Sequence, residues 1–380
     1  MNRFDEMQET HSAYFPIYKS ATEIVPYCGD KSQMLEDFVV NQIGSSKGIR
    51  GYSLRKMYEL VGGDWQGILP VIAAVEMHLA SMYCFNVAAD SKTGYVTAEK
   101  RATAFAVRDI TFNLALGLLS QISLPEEKVQ KLKDSFKETD KIFYQSETLD
   151  VIANIHPVLD VSDEEIKERY GIDPALARET LERFSGSSLD EKVLFRTYGV
   201  NAVMFENLGR VVAVLKDLEC SDIEALTSFG RNYGLAMMII NDVQDYSLDL
   251  ARETTREKNH SDVFSDLRER KVTWPILFYD DIDSVPFGDC GYEEHDAFRE
   301  KLCENGVIKR TVLEAMAYSK IAVHSLSQFP DCDAKRKLID SAFSISKLSK
   351  YVKLLERRYN VRLVPSKGDV NSRLREIAAT

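Results

Sequence analysis

The chain has 380 residues, with 48 Lys and Arg against 59 Asp and Glu, a net charge of −11, and 44% hydrophobic residues. That length and apolar content suffice for one large or two modest domains, while the acidic balance excludes a broad electrostatic grip on nucleic acid, which needs clustered Lys and Arg. Its 19 Gly and 10 Pro fall below the roughly 12% of average usage, so strand-rich and disordered classes give way to helix.

The N-terminal segment, 1–40, places Asp5 and Glu6 where a signal peptide needs an apolar core. The longest apolar run, from Ile68 to Val75, is short for a bilayer, so the expectation is a cytoplasmic protein with no transmembrane segment. From Ile68 onward apolar residues recur at helical spacing. Long helices are predicted over 68–87, 98–122, 126–155, 190–218, 221–253, 307–329 and 333–359, with shorter ones near 31–42, 174–184 and 293–304. Ser123 with Glu126, Ser162 with Glu165 and Ser221 with Glu224 read as capping boxes. Asp173-Pro174 reads as an N-cap followed by proline at the first helical position.

Helices of about 25 to 30 residues span roughly 40 Å at 1.5 Å per residue, which favours one tall bundle over two small domains. The bundle is expected over 41–359, with insertions near 156–192 and 280–294 and a polar tail over 360–380. The six cysteines are scattered with no CxxC pair, so reduced thiols are expected.

The most informative stretch runs from Gly234 to Leu277. Asn241, Asp245 and Asp249 recur every four residues and share one helix face behind the apolar run Leu235 to Ile240. Like charges at that spacing repel. The ladder is therefore either a solvated helix face or, if turned inward, a site for a hard cation such as Mg²⁺, which takes one or two carboxylates and fills its shell with water and phosphate oxygens. Lys258, Arg268, Arg270 and Lys271 follow and could neutralise a diphosphate.

Asn241-Asp242-Val243-Gln244-Asp245, followed by the run from Asp266 to Leu277, resembles the second aspartate-rich motif and the DLREGKxTLP signature of the trans-isoprenyl diphosphate synthase (polyprenyl synthetase) family. Lys47-Gly48-Ile49-Arg50 resembles that family's GGKRxRP segment, and Ala73-Ala74-Val75-Glu76 its AAxE. The first aspartate-rich motif, DDxxD, is degenerate here: it reads Asn86-Val87-Ala88-Ala89-Asp90, and only the last aspartate remains. Glu147 to Asp150 falls at the GQxxD, and Thr197-Tyr198 at the Lys-Thr pair that breaks a helix and binds diphosphate.

The resemblance implies an all-α isoprenoid synthase bundle around a central apolar cavity, using Mg²⁺ to ionise an allylic prenyl diphosphate and passing the prenyl group to isopentenyl diphosphate or another acceptor. It implies Asn86, Asp90, Asn241, Asp242, Asp245 and Asp249 as metal ligands, with Asp242, Asp245 and Lys271 catalytic. Substrate binding falls to Lys47, Arg50, Lys258 and Lys271, joined by Arg196 and Arg358 from the cyclase resemblance given next, and the assembly is expected to be a homodimer or a heterodimer with a homologue. Two other readings stay open. The Asn241/Asp245/Asp249 ladder, with Arg196 and Arg358-Tyr359, also resembles class I terpene cyclases. Val87 in the first motif suits a catalytically silent partner subunit. Asp280-Asp281-Ile282-Asp283 reads as a solvated acidic turn, and His78, His324, Tyr83, Cys84, Phe85 and Trp274 as core or boundary residues.

Overall fold

The computed structural model describes residues 3–23, 48–89, 98–151, 162–170, 172–246, 264–288 and 290–344. All regular structure among them is helical, as expected. The helix predicted near 31–42 and the end of the one predicted over 333–359 lie outside the described residues.

The chain begins with α1 (Arg3–Glu23), a helix that was not predicted. It packs through the fully buried Tyr14 and Tyr18 against the main core. Next comes α2 (Ile49–Leu60), entered through Gly48 at φ 57. Only glycine adopts that left-handed conformation without strain, and a Cβ there would also lie 3.3 Å from Tyr14 Oη. A short turn over Trp65–Ile68, capped by Asp64, leads into α3 (Leu69–Ala89). Because α3 is apolar on every side it becomes the central helix, with Val71 to Val75 wholly buried. Its antiparallel neighbour is α4 (Ala98–Leu119).

The long helix α5 (Glu126–Val151) covers α3 and α4 on one side. The first expected insertion folds as two short helices, α6 (Asp163–Tyr170) and α7 (Pro174–Arg183). These bury Ile166, Ile172 and Ala177 against Met82, Phe85, Phe143 and Met204. The Asp173 carboxylate accepts from Leu176 N at 3.0 Å, as its position before Pro174 predicts. A capping box forms where none was predicted, between Ser188 and Glu191 at the start of α8 (Leu189–Thr197).

The single helix expected over 190–218 is interrupted. A π-helical segment, Tyr198–Ala202, separates α8 from α9 (Val203–Lys216). Then α10 (Cys220–Asp245) starts one residue before Ser221, with no side-chain cap, so the predicted Ser221 box does not form. Two single-turn helices, α11 (Ser265–Arg268) and α12 (Trp274–Leu277), precede α13 (Tyr292–Glu304), α14 (Val307–Ser325) and α15 (Asp333–Ser344). Pairs α9/α10 and α10/α14 complete the bundle. Asp280, Asp281 and Asp283 are exposed, as a solvated turn requires.

Run length understates two helices. Trp65–Asn86 and Ala102–Leu119 are each long and apolar enough to cross a membrane by length and composition. The first is a core helix, 78% buried, whereas the second is 33% buried: its Ile110, Phe112, Leu114 and Leu116 pack partly buried against the core, and its exposed positions are Ala102, Ala106, Asp109, Asn113 and Gly117.

Candidate active site

The site forms where the helix predicted over 190–218 breaks. Gly199 sits so close to α5 that a Cβ would lie 1.5 Å from Ser146 Oγ and 2.9 Å from Ile142 O. Glycine alone permits that approach, and the π turn displaces the chain so that Arg196, in the last turn of α8, points at the ends of α5 and α10. On the far side of the break, Asn201 donates through Nδ2 to Gly234 O at 2.8 Å, tying the π segment to α10.

Three helices and the stretch after α11 then meet through charge. Arg196 Nη2 donates to Asp242 Oδ2 at 2.7 Å and Nη1 to Asp150 Oδ1 at 3.0 Å. Lys271 Nζ lies 2.5 Å from Asp150 Oδ2 and 3.1 Å from Glu269 Oε2. Burial alone would lower the Arg196 pKa, but Asp242 and Asp150 more than offset it and hold the guanidinium above its ordinary value. Asp150, equally buried, is held below the usual carboxylate range by Lys271 and Arg196. Burial pushes the Asp242 carboxyl up to about 6 against the pull of Arg196, with Asp266 and Asp150 adding repulsion.

The expected ligand face divides. Asp242 is 1% exposed. Its Oδ2 accepts from Arg196 and from Trp274 N at 3.1 Å, while its Oδ1 has no hydrogen-bond partner among the described residues. Both oxygens of Asp245 accept from the start of α11, Oδ1 from Ser265 Oγ at 2.9 Å and Oδ2 from Asp266 N at 3.0 Å. Asp245 therefore caps the chain where it returns to the bundle. Asn241 is exposed. On α3, Asn86 is half-buried, with Oδ1 lacking a partner among the described residues. Lys47, Asp90, Asp249, Lys258 and Arg358 lie outside the described residues.

Arg50 faces the interior. Its Nη2 donates to Asn201 Oδ1 at 2.7 Å, and its guanidinium lies 5.0 Å from the centre of the Phe205 ring. Thr197 and Tyr198 stand where the resembled family has its Lys-Thr pair. The Thr197 hydroxyl is fully buried, donating to Val193 O and accepting from Trp274 Nε1. Burial, with the Glu206 carboxylate beside it, raises the Tyr198 hydroxyl above its ordinary pKa. The cation at the break is Arg196.

Asp150, Glu269 and Trp274 were absent from the expected site. For Asp150 the signal was present, since it ends the segment resembling GQxxD. For Trp274 nothing in the sequence showed that an indole would reach a hydroxyl 77 residues away.

Among the described residues no three of His, Cys, Asp and Glu gather to hold a metal ion. The unpartnered Asp242 Oδ1 nevertheless fits one coordination position of a hard divalent cation, which needs few protein ligands when phosphate completes its shell.

Solved structures with this helical arrangement include geranylgeranyl pyrophosphate synthetase from Pyrococcus horikoshii, at TM-score 0.70 and 18% identity over 90% of this chain and 97% of that one. Another is polyprenyl synthase from Caulobacter crescentus complexed with calcium and isoprenyl diphosphate, at TM-score 0.67 and 18% identity over 91% and 98%. The fold is that of the isoprenyl diphosphate synthases. Sequence similarity agrees with it. The chain is 29% identical over 165 residues to the "Probable hexaprenyl pyrophosphate synthase, mitochondrial" of Neurospora crassa, covering 41% of this chain and 35% of that protein. It is 26% identical over 219 residues to the "Prenyl transferase" of Cyanophora paradoxa, covering 56% and 60%. These matches thus span about a third and three fifths of the two relatives. No family model matches the chain. The resemblance read from Asn241 to Asp245 and Asp266 to Leu277 is borne out at the level of fold and of relatives.

Proposed function

We propose that the chain is a Mg²⁺-dependent prenyltransferase of isoprenoid biosynthesis, ionising an allylic prenyl diphosphate and passing the prenyl group to isopentenyl diphosphate or another acceptor. The observation that carries this reading is the buried Asp150–Arg196–Asp242 chain with Lys271 bound to Asp150, set where α8 breaks against the end of α10. Paired with Asp150, Asp242 and Glu269, Arg196 and Lys271 would meet a leaving diphosphate as fixed donors, Arg196 through an Nε that has no hydrogen-bond partner among the described residues, and fixed dipoles in a water-poor site need no reorganisation as the bond breaks. Asp242 Oδ1 would hold a divalent cation that neutralises the diphosphate further, in keeping with the calcium and isoprenyl diphosphate bound by the Caulobacter crescentus neighbour. The aromatic cluster of buried Phe85 and Phe143 with half-buried Tyr144 would supply apolar surface that excludes water from an allylic cation.

Transfer is favoured over cyclisation by the relatives, whose names are those of a hexaprenyl pyrophosphate synthase and a prenyl transferase. In this reading the protein is cytoplasmic and works as a homodimer or as a heterodimer with a homologue.

The test is incubation of the full chain with Mg²⁺ and geranyl, farnesyl or geranylgeranyl diphosphate, with and without isopentenyl diphosphate. A longer diphosphate formed only with isopentenyl diphosphate is the expected result. A hydrocarbon or alcohol formed without it would establish cyclisation instead. Turnover only after a homologous partner is added would identify a silent subunit.

A further inference from the structure

The geometry points to Trp274 as a positioning residue that fixes Asp242 and the α8 break as one unit, an inference resting on the diphosphate chemistry proposed above. Trp274 reaches the site twice. Its backbone N–H donates to Asp242 Oδ2 at 3.1 Å, and its indole Nε1–H donates to Thr197 Oγ1 at 2.8 Å. Thr197 in turn donates to Val193 O at 2.7 Å, and it follows directly on Arg196, whose Nη2 donates to the same Asp242 oxygen at 2.7 Å.

A closed ring results, from the Trp274 backbone through Asp242, Arg196 and Thr197 to the Trp274 indole. Every member is buried to 5% exposure or less. In so dry a setting each hydrogen bond restrains its neighbours, and a hydroxyl left without its donor is costly. The indole itself cannot swing, because Phe278 and Tyr318 lie edge-on at 5.5 and 6.5 Å. The signature that this segment resembles has leucine at this position, which carries no donor. The tie between the metal wall and the helix break is thus built by a residue particular to this chain.

Its consequence is directional. The Trp274–Thr197 bond sets the last turn of α8 and with it where the Arg196 guanidinium stands, so losing the indole N–H should weaken diphosphate binding without unfolding the bundle. The experiment measures calorimetric affinity for inorganic pyrophosphate with Mg²⁺ on the full chain, well below the melting temperature, for wild type, Trp274→Phe, Thr197→Val and the double variant. Each single change is expected to weaken binding about fivefold, the weight of one hydrogen bond. The double variant should be no weaker than either single one, because both remove the same bond.

Unchanged affinity in folded variants, or losses that multiply in the double variant, would overturn the positioning role while leaving the proposed function standing. No pyrophosphate binding by the wild type would overturn both. Should Trp274→Phe fail to fold, Thr197→Val, which leaves the aromatic packing intact, decides the question.

Discussion

Lys271 Nζ and Asp150 Oδ2 stand 2.5 Å apart in the interior, joining the loop after the second aspartate-rich motif to the end of α5. Asp150 also takes Arg196 on its other oxygen, so it joins two buried cations whose second partners are Asp242 and Glu269. Removing it breaks two buried pairs while each cation keeps one carboxylate, so the cost lies toward the lower end of the about 3 to 5 kcal/mol for a stranded buried charge. Asp150→Asn is therefore expected to lose stability of that order in urea unfolding at pH 7. The Asp150 pKa is depressed below its unfolded value of 3.8. Its contribution is thus fully present above that pH and is lost as pH falls through the lower folded value. The gap between variant and wild type should narrow steadily below about pH 4.

Glu76 predicts the opposite slope. It is fully buried on α3, its Oε1 accepting from Gly51 N at 2.6 Å and its Oε2 without a hydrogen-bond partner among the described residues. Burial raises its pKa above the ordinary 4.5, outweighing the Gly51 N–H and Arg50. A raised carboxyl is most favourable to folding below its unfolded pKa and loses that advantage as pH rises through the folded value. Glu76→Gln keeps the acceptor for Gly51. The variant should match wild type near pH 4 and exceed it near pH 8, by denaturant unfolding at the two pH values.

Gly199→Ala tests the origin of the helix break. The new methyl would collide with Ser146 Oγ and with the Ile142 carbonyl, and overpacking of this kind costs typically about 1 to 3 kcal/mol. Adding Ser146→Gly removes the worse clash but leaves the carbonyl, so only part of the lost melting temperature should return. Full stability of Gly199→Ala alone would refute the close-approach account.

Asn86→Asp probes the wall left by the degenerate first motif. The Asn86 Oδ1 is buried and has no partner among the described residues. Converting it to a carboxylate without a cation exposes the desolvation penalty of the charge. The variant should melt below wild type in buffer and recover when Mg²⁺ and inorganic pyrophosphate are added together. Failure of the ligands to restore the melting temperature would remove Asn86 from the metal-binding wall.

The sequence alone determined the helical class, most helix boundaries and the second-motif resemblance, because hydrophobic period, caps and short signatures are local properties. The all-round apolar character of α3 announced a central helix, and Asp173-Pro174 announced the start of α7. Tertiary structure decided what local pattern does not encode. Asp242 and Asp245 share a motif, yet one keeps an oxygen for a ligand while the other caps α11, because only the path of the returning chain sets which donors each meets. Thr197, adjacent to Arg196, is sealed by an indole from a distant segment. Arg196 itself became the cation of the site through a break forced by contact between Gly199 and Ser146, residues on different helices. Side-chain identity set the chemistry available, and long-range packing chose which groups remain free to use it.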